Sequence, residues 1–318
     1  MTEIAEPKVT IMIPTFNQAA FIGEAIDSAL AQTYSNLEII VGDDASTDAT
    51  SQILAKITDS RLKYVQNINN IGRTANYRNL LCNHASGDYV VNLDGDDYYT
   101  DPEFVTRAIN LIDNEQNIVM VAAKASWKVL NREFVSDVPG VAETSGLQIV
   151  KNLPDKKYYL KHMATLYART TAIDIGFYNS VSNSSDWESL YRLSLRGKVK
   201  YLNRNVGVWR IHDRNESGTT DYKKLLENLA IWPSIYDEAF AFGMNKIQAK
   251  LTCANCIACF ASSFATNISL NGNADLIKFI LVIVKRYKLA SLLLVVTPKY
   301  AARLLFSLLG YYRLKGDH

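Results

Sequence analysis

Three aspartates occur within four positions at the end of an apolar segment. Residues 89–93 lead into Asp94, Gly95, Asp96 and Asp97. Carboxylates crowded at the end of a strand repel one another, and a bound cation relieves that repulsion. Their oxygens are hard ligands, which favours Mg²⁺ or Mn²⁺ over zinc, and such an ion completes its shell with water and phosphate oxygens. The tetrad predicts a metal site for a nucleotide diphosphate, but by itself it is equally typical of a solvated acidic turn.

Two earlier apolar segments also end in polar residues. Residues 9–13 are followed by Pro14, Thr15, Phe16 and Asn17, and residues 37–41 are followed by Gly42, Asp43 and Asp44. The Phe16 ring could stack on a nucleobase, and the two carboxylates could accept hydrogen bonds from uracil N3–H or from ribose hydroxyls. The alternative is a helix-capping series, because Asp, Ser and Thr are good helix starters. Ser46 as N-cap would explain one residue of that series, not the paired aspartates before it.

A further candidate contact follows a third predicted strand at residues 62–65. The loop there contains Asn70, Ile71, Gly72 and Arg73. The Arg73 guanidinium could reach a diphosphate as a charged donor. Taken alone, this segment has the composition of an ordinary turn.

Alternating strand and helix patterns position these residues. The predicted strands cover residues 9–13, 37–41, 62–65, 89–93 and 118–123, and the helices between them cover about 21–30, 47–57 and 74–85, with another opened by Pro102. This order predicts an α/β fold with a mainly parallel sheet and flanking helices. Ligands of such sheets bind outside the carboxyl ends of the strands, so the polar strand ends are expected to gather at one edge.

Four blocks of the sequence resemble glycosyltransferase family 2, which has the GT-A fold. They are VTIMIPTFN at 9–17, QTYSNLEIIVGDDASTD at 32–48, NIG at 70–72 and SGDYVVNLDGDD at 86–97. The resemblance covers roughly residues 8–125 in order and spacing. It implies an inverting enzyme that moves a sugar from a nucleotide diphosphate, with a UDP-sugar favoured, to an acceptor hydroxyl with Mn²⁺ or Mg²⁺.

The resemblance also implies roles for individual residues. The nucleotide-sugar would be held by Pro14, Thr15, Phe16, Asn17, Asp43, Asp44, Asn70, Arg73, Asp94, Gly95 and Asp97. Asp94 and Asp96 would form the D-x-D pair, with Asp96 as the direct metal ligand. Gly95 would permit a close backbone approach, and Asp97 would touch the donor.

Inversion in a single displacement requires a base on the face opposite the leaving diphosphate. Family members usually provide the Asp of a Glu-Asp pair that opens a helix, and the segment SSDWESLYR at 184–192 is similar, with Ser185 where Glu is common. Asp186 is therefore the expected base. Ser185 and Glu188 also fit a capping box, and both readings are compatible because a capped helix mounts a base rigidly.

A motif with Arg and His follows further along the chain. The segment GVWRIH at 207–212 resembles the family's strand that ends in Arg-x-His. The resemblance implies that His212 completes the metal or diphosphate site. His162 lacks such support and could be packed or could face the acceptor, and His84 is expected to be structural.

The composition fits a globular chain with an uneven charge distribution. The 318 residues are 48% hydrophobic and 21% charged, with a net charge of +2. Residues 275–318 carry eight Lys/Arg against Asp275 and Asp317, a balance of +6, so residues 1–274 sum to −4. The first seven residues have no signal-peptide pattern, so a cytoplasmic location is expected. Cys82, Cys253, Cys256 and Cys259 are expected to be free, packed thiols.

The carboxyl-terminal third has a helical pattern. We expect a GT-A domain over 1–220, with a nucleotide-sugar half at 8–125 and an acceptor half at 126–220, and a helical region over 221–318. Apolar segments within 275–318 are shorter than the roughly 20 residues that span a bilayer, and they are mixed with basic residues. This mixture favours peripheral membrane contact and a lipid-linked acceptor over a dimer or bundle surface, and it is too apolar for nucleic acid.

Two other functions compete with sugar transfer. A haloacid dehalogenase-type phosphatase also uses Asp-x-Asp at a strand end, but there Gly follows the second Asp, whereas Gly95 lies between them here. A transferase-like fold retained only for binding in an assembly complex is the second alternative, and the intact acidic set weakens it. The sequence leaves open which sugar, acceptor and oligomeric state apply.

Overall fold

The computed structural model describes residues 6–112, 117–129, 132–180, 182–212, 215 and 218–309. The chain forms two compact units. The sheet unit comprises the described chain up to Ile149, together with Lys156–Asn179 and Ser189–Ile211. The helical unit comprises Val150–Asp155, Ser180–Glu188 and the described chain from His212 onward. The predicted boundary at residue 220 stays a prediction.

The described strands all belong to one sheet. They are β1 Val9–Thr15, β2 Leu37–Asp43, β3 Leu62–Gln66, β4 Tyr89–Asn92, β5 Tyr98–Tyr99, β6 Ile118–Val129, β7 Arg132–Val135, β8 Glu143–Ser145, β9 Thr165–Ala168 and β10 Lys198–Trp209. Their order is β3-β2-β1-β4-β9-β6-β10-β5, with β7 paired to β6 and β8 to β10. Strands β3, β2, β1 and β4 run parallel, and β9 is antiparallel to both its neighbours.

The helices flank the sheet or build the second unit. They are α1 Ile22–Leu30, α2 Thr50–Leu54, α3 Arg73–Asn79, α4 Phe104–Ile112, α5 Gly146–Asn152, α6 Arg169–Asp174, α7 Ser185–Ser194, α8 Tyr222–Leu229, α9 Ile231–Ala241, α10 Lys246–Ser269, α11 Asn273–Arg286, α12 Lys288–Val296 and α13 Pro298–Leu308. A π-helical turn, Leu80–His84, extends α3.

The core of the sheet unit explains why these strands form. Strand β1 is buried at all seven positions, as expected for a parallel strand covered on both faces. Helix α1 places Ile22, Ala25, Ile26 and Ala29 on one buried stripe, which matches the predicted three- and four-residue spacing. The α/β class with flanking helices is therefore confirmed, as is the helical carboxyl-terminal region. The sheet as a whole is mixed and not mainly parallel, because β5, β7, β8 and β9 pair antiparallel with their neighbours.

One helix start differs from its expectation. The N-cap hypothesis for Ser46 is wrong, because α2 begins only at Thr50. The Ser46 hydroxyl instead accepts a hydrogen bond from the Asn17 amide at 2.9 Å. The Asp48 carboxylate accepts from the Thr50 amide at 2.9 Å, so the loop after β2 is longer than the residue types suggested.

The helical unit is built around α10. This helix contacts each of the other helices that follow residue 212, namely α8, α9, α11, α12 and α13. Its cysteines are free thiols, as expected, with Cys256 fully buried. Among the described residues, α10 is the one continuous helix long and apolar enough to cross a membrane, but 44% of its apolar window is buried inside the protein. Helices α12 and α13 pass the same test only as a pair, and they are bent by 89°.

Candidate functional site

The three aspartates after β4 form an acidic cluster at the carboxyl edge of the sheet. One oxygen from each of Asp94, Asp96 and Asp97 lies within 4.8 Å of the others. The Asp97 amide donates to the Asp94 carbonyl at 2.9 Å, which closes the turn that brings them together. A six-coordinate Mg²⁺ with bonds of about 2.1 Å separates opposite ligands by about 4.2 Å. The donor set and spacing therefore fit a divalent cation after small side-chain adjustments.

The electrostatics of the cluster centre on Asp97, which is 3% exposed. Burial, followed by the charges of Asp94 and Asp96, raises the pKa of Asp97 well above its usual range. The Arg210 amide opposes this rise by donating to Asp97 Oδ1 at 2.8 Å. Three adjacent carboxylates cannot all ionise easily without a counter-charge, and a divalent cation supplies one.

Arg210 was not among the expected site residues. Its guanidinium lies over the Tyr98 ring, 4.6 Å from the centroid, and it forms an ion pair with Glu24. These contacts fix the end of β10 against the acidic turn. The signal that could have identified it was the Arg of the Arg-x-His motif.

Tyr77 is a second residue that the sequence did not indicate. Its hydroxyl donates to Asp94 Oδ1 at 2.5 Å, and the residue is 1% exposed. The ring packs against His162 and Tyr178, with centroid distances of 5.3 and 5.1 Å. His162 is therefore packed against the ring of Tyr77, one of the two roles that the sequence left open for it.

Gly95 permits a close approach between the loops after β1 and β4. Its amide donates to the Pro14 carbonyl at 3.2 Å. A Cβ at Gly95 would lie 2.9 Å from Thr15 Oγ1 and closer still to the Gln18 amide oxygen. The expected role of Gly95 as a spacer thus has a steric reason, because any side chain would push the two loops apart.

Asn17 joins the loops after β1 and β2. Its side-chain oxygen accepts from the Thr47 amide at 2.7 Å and from the Asp48 amide at 3.2 Å. Its backbone has φ 53°, a left-handed conformation that Asn tolerates better than most residues. Asn17 is therefore a loop-bridging residue within the expected site.

Asp43 and Asp44 are buried, and both organise the loops around them. Asp44 accepts from Asn67 Nδ2 and from the Ile71 and Gly72 amides at 2.8–2.9 Å. Asp43 accepts from the Tyr64 hydroxyl at 3.0 Å and the Ser46 amide at 2.9 Å. The two carboxylates hold the loops at which a nucleoside is expected, and their expected direct contact with it stays a prediction.

The remaining expected donor-site residues of the sheet unit lie on the same loops. Pro14 and Thr15 are buried at the end of β1, while Phe16 is 44% exposed and its ring is available for stacking. Asn70 is exposed and accepts from the Gly72 amide. Arg73 begins α3, with its guanidinium 5.7 Å from the Tyr77 ring centroid. The loops after β1, β2, β3 and β4 thus carry all of these residues.

Asp186 and His212 lie in the helical unit. Asp186 is half-buried in the first turn of α7, where its negative charge is favourable at the helix amino terminus. The Glu188 carboxylate accepts from the Ser234 hydroxyl at 2.6 Å. His212 is half-buried, and its amide donates to Asn215 Oδ1 at 2.5 Å. The expected roles of Asp186 as base and His212 as metal ligand stay predictions.

A parallel half-sheet with an Asp-x-Asp turn and polar loops at its carboxyl edge defines a GT-A-type protein. The sequence also matches the family model described as Glycosyl transferase family 2 over residues 10–187, more than half of its length. The chain belongs to glycosyl transferase family 2. The matched range extends beyond the 8–125 segment of the resemblance and includes Asp186.

Curated relatives of the chain are sugar transferases and synthases. It is 39% identical over 108 residues to an Escherichia coli protein named UDP-Glc:alpha-D-GlcNAc-diphosphoundecaprenol beta-1,3-glucosyltransferase WfaP, covering 34% of this chain and 42% of that protein. It is 28% identical over 236 residues to Escherichia coli chondroitin synthase, covering 66% of this chain and 30% of the synthase. The chain thus spans less than half the length of these two relatives.

Solved structures share the fold. S. aureus TarS 1–349 in complex with UDP has a TM-score of 0.62 at 19% identity, with 97% of this chain and 92% of that chain covered. The mannosyltransferase PcManGT from Pyrobaculum calidifontis, in complex with GDP-Man and Mn²⁺, has a TM-score of 0.59 at 15% identity, with 99% and 88% covered. At these identities the likeness establishes the GT-A fold.

Proposed function

We propose that this chain transfers a hexosyl or N-acetylhexosaminyl group from a UDP-sugar to an acceptor hydroxyl, with inversion, in polysaccharide or glycolipid assembly. The observation that carries the proposal is the cluster of Asp94, Asp96 and Asp97 at the carboxyl edge of a family 2 sheet. The choice of a UDP donor and of a saccharide or lipid-linked acceptor follows from the names of its relatives. The acidic cluster favours catalysis over a binding-only role.

The cation, Mn²⁺ or Mg²⁺, would be held by Asp96 and Asp94, with His212 as the further proposed ligand. It would neutralise charge that develops on the leaving diphosphate. Asp97 accepts a hydrogen bond from the Arg210 amide, and we propose that it touches the donor. Phe16 offers its exposed ring to the base, and Asn17 and Asp44 hold the surrounding loops.

Asp186 is the proposed base that takes the proton of the acceptor hydroxyl. Its place in the first turn of α7 gives it a rigid mount at the helix amino terminus. Trp187 packs edge-on against Trp232 and Phe260, which anchors this turn within the helical unit.

The metal half of the proposal is tested with Asp96→Asn. A panel of UDP-, GDP- and dTDP-sugars with Mn²⁺ should give hydrolysis or transfer in the wild type and at least a hundredfold less in the variant, because one ligand charge is lost. Asp27→Asn is the matched control, since Asp27 is exposed on α1 and should retain full activity. Failure of the wild type to bind any nucleotide-sugar would overturn the proposal.

Asp186→Asn tests the base separately. The variant should bind UDP and Mn²⁺ as tightly as the wild type, yet lose about a hundredfold or more in transfer rate. Glu188→Gln, two residues along the same helix, removes an equal charge and should retain most of the activity. Full transfer by Asp186→Asn would exclude Asp186 as the base.

We also propose that helices within 275–318 hold the protein at the cytoplasmic face of a membrane. Of this segment, residues 310–318, including Tyr311, Tyr312, Arg313 and Lys315, lie outside the described residues. The described part combines exposed apolar side chains, such as Leu292 at 57% exposure, with six basic residues. Such mixed surfaces bind the interface of anionic bilayers.

A further inference from the structure

An apolar groove lies within the helical unit, and none of its lining residues is among the expected donor-site residues. Its volume is about 350 Å³, and it is lined by residues of α9, α10 and the junction of α11 and α12. This volume lies at the lower end of the roughly 300–1,000 Å³ that ligand pockets occupy, which suits one aliphatic chain better than two.

The sequence of α10 explains why a groove forms there. Ala249, Cys253, Ala254 and Ile257 recur at three- and four-residue spacing, so they line one face of the helix. The small side chains of Ala249, Cys253 and Ala254 leave space beside the larger lining residues, such as Phe240 and Leu289. Burial raises the pKa of the Cys253 thiol to about 12, with a further rise from Asp237, so this wall carries no thiolate at neutral pH.

The charged residues of the groove are predominantly basic. Lys246, Lys250 and Lys288 line it together with one acidic residue, Asp237, and all four are exposed. Because they are exposed, these charges lie where the groove meets solvent. The net positive charge there complements an anionic head group, while the interior complements an apolar chain.

One polar group in the wall of the groove, the Tyr287 hydroxyl, has no hydrogen-bond partner among the described residues. Tyr287 lines the groove, and its hydroxyl is buried. A buried hydroxyl without a partner is unfavourable, and an oxygen of a bound ligand would satisfy it.

We propose that this groove binds the chain and phosphate of a single-chain lipid phosphate, as found in an isoprenoid-linked acceptor. The first units of the chain occupy the space beside Ala254 and Cys253, and the phosphate lies among Lys246, Lys250 and Lys288. The inference rests on the proposed function for its choice of an acceptor lipid over a bulk membrane lipid.

Farnesyl phosphate is a suitable probe, and its binding to the full chain is measured by isothermal titration calorimetry below its critical micelle concentration. It should bind at least tenfold more tightly than farnesol, which has the chain but no phosphate, and than inorganic phosphate, which has no chain. Dioleoyl phosphatidic acid, which has two chains, should compete poorly. Equal binding of phosphate alone, or equal competition by phosphatidic acid, would overturn the proposal.

Two matched pairs of variants locate the site. Lys250→Gln/Lys288→Gln should weaken farnesyl phosphate binding about tenfold, whereas Lys285→Gln/Lys299→Gln, which removes the same charge outside the groove, should not. Cys253→Trp fills the groove and should abolish binding, whereas Thr252→Trp, on the neighbouring half-buried position, should not. An equal effect within either pair would contradict the assignment.

UDP binding with Mn²⁺, measured on the same samples, checks the fold of each variant and separates the two proposals. Loss of farnesyl phosphate binding with normal UDP binding supports the groove. If the wild type binds UDP but not farnesyl phosphate, the groove proposal fails and the transferase proposal stands. The reverse result overturns the transferase proposal alone.

Discussion

At the residue scale, the hydroxyl of Tyr77 has a specific consequence for Asp94. It is a buried donor at 2.5 Å from a carboxylate that we propose as a metal ligand. Groups that orient metal ligands typically contribute about 10- to 100-fold to metal affinity. Tyr77→Phe keeps the ring between His162 and Tyr178 but frees the carboxylate to rotate. We therefore expect Mn²⁺ affinity, measured by titration in the presence of UDP, to fall about tenfold or more.

Tyr178→Phe is the matched control for this prediction. Tyr178 is also buried in the aromatic packing, but its hydroxyl contacts Asn92 Oδ1 at 3.0 Å and His162 Nε2 at 2.6 Å, not Asp94. It should lower thermal stability with little change in Mn²⁺ affinity. Equal Mn²⁺ affinity in Tyr77→Phe and the wild type would show that Asp94 does not depend on Tyr77.

The same contacts show what the sequence could predict about the site. Asp94, Asp96 and Asp97 were predictable as a cluster, because a turn brings neighbouring residues together whatever the rest of the fold does. Tyr77 was not, because it contacts the cluster across 17 positions of sequence. Arg210 contacts it across 113 positions, so only the Arg-x-His motif could have indicated it. Asp43 and Asp44 were correctly expected at a strand end, but their hydrogen bonds to other loops depend on the tertiary structure.

At the scale of elements, strands were easier to predict than the loops and helices between them. Apolar β-rich segments predicted β1 to β4 to within two residues. Strands β1, β2 and β4 are mostly buried, which leaves few alternatives for such segments, whereas β3 is partly exposed. The start of α2 was missed because the Ser46 hydroxyl is bonded to the Asn17 amide, a partner in another loop. Side chains that can cap a helix can equally join loops, and local sequence does not distinguish the two.

Glu38 joins β1, β2 and the segment before β4 at the amino ends of these strands. Its carboxylate accepts from Thr10 Oγ1 at 2.5 Å and from the Ser86 amide at 2.6 Å, and it pairs with Lys8 Nζ at 2.9 Å. Burial alone would raise the pKa of Glu38, but the hydrogen bonds from Thr10, Lys8 and Ser86 together lower it to about 2.

The lowered pKa predicts how stability depends on pH. A carboxyl whose pKa is lower in the folded state stabilises the protein above its unfolded pKa, and the contribution is lost as pH falls. A shift from 4.5 to about 2 corresponds to about 3 kcal/mol at neutral pH. Glu38→Gln should therefore lower the free energy of unfolding by about that amount at pH 7, measured by urea denaturation, and the difference should shrink between pH 4.5 and pH 2.

Two measurements check that this effect belongs to Glu38 and is purely structural. UDP binding by folded Glu38→Gln should be unchanged, because the donor-site residues lie at the opposite, carboxyl ends of the same strands. Glu133→Gln, an exposed residue of β7, should change stability little at any pH. A pH-independent stability difference in Glu38→Gln would show that packing, not charge, is responsible.

At the scale of the whole molecule, charge and exposed apolar surface are concentrated in the same third of the chain. Residues 275–318 carry +6 while residues 1–274 carry −4. In the helical unit, Leu281, Val295 and Leu305 are 62%, 70% and 55% exposed. Large exposed apolar patches on a folded protein mark an interaction surface. The accompanying positive charge is the reason why we propose an anionic bilayer, and not a second protein chain, as the partner of this surface.

Leu292→Ser/Val295→Ser tests this surface on α12. The two residues are three apart, so they share one helix face, and both are exposed, so the fold should tolerate the change. Each loses roughly 1 kcal/mol or more of apolar burial in the interface, so binding to phosphatidylglycerol-containing vesicles should weaken about tenfold or more in a sedimentation assay. Ile68→Ser/Val141→Ser, two residues of the sheet unit that are 95% and 53% exposed, is the control and should bind normally. If vesicle binding is unchanged in the α12 variant while its sedimentation coefficient falls from that of a dimer to that of a monomer, the surface packs against protein instead.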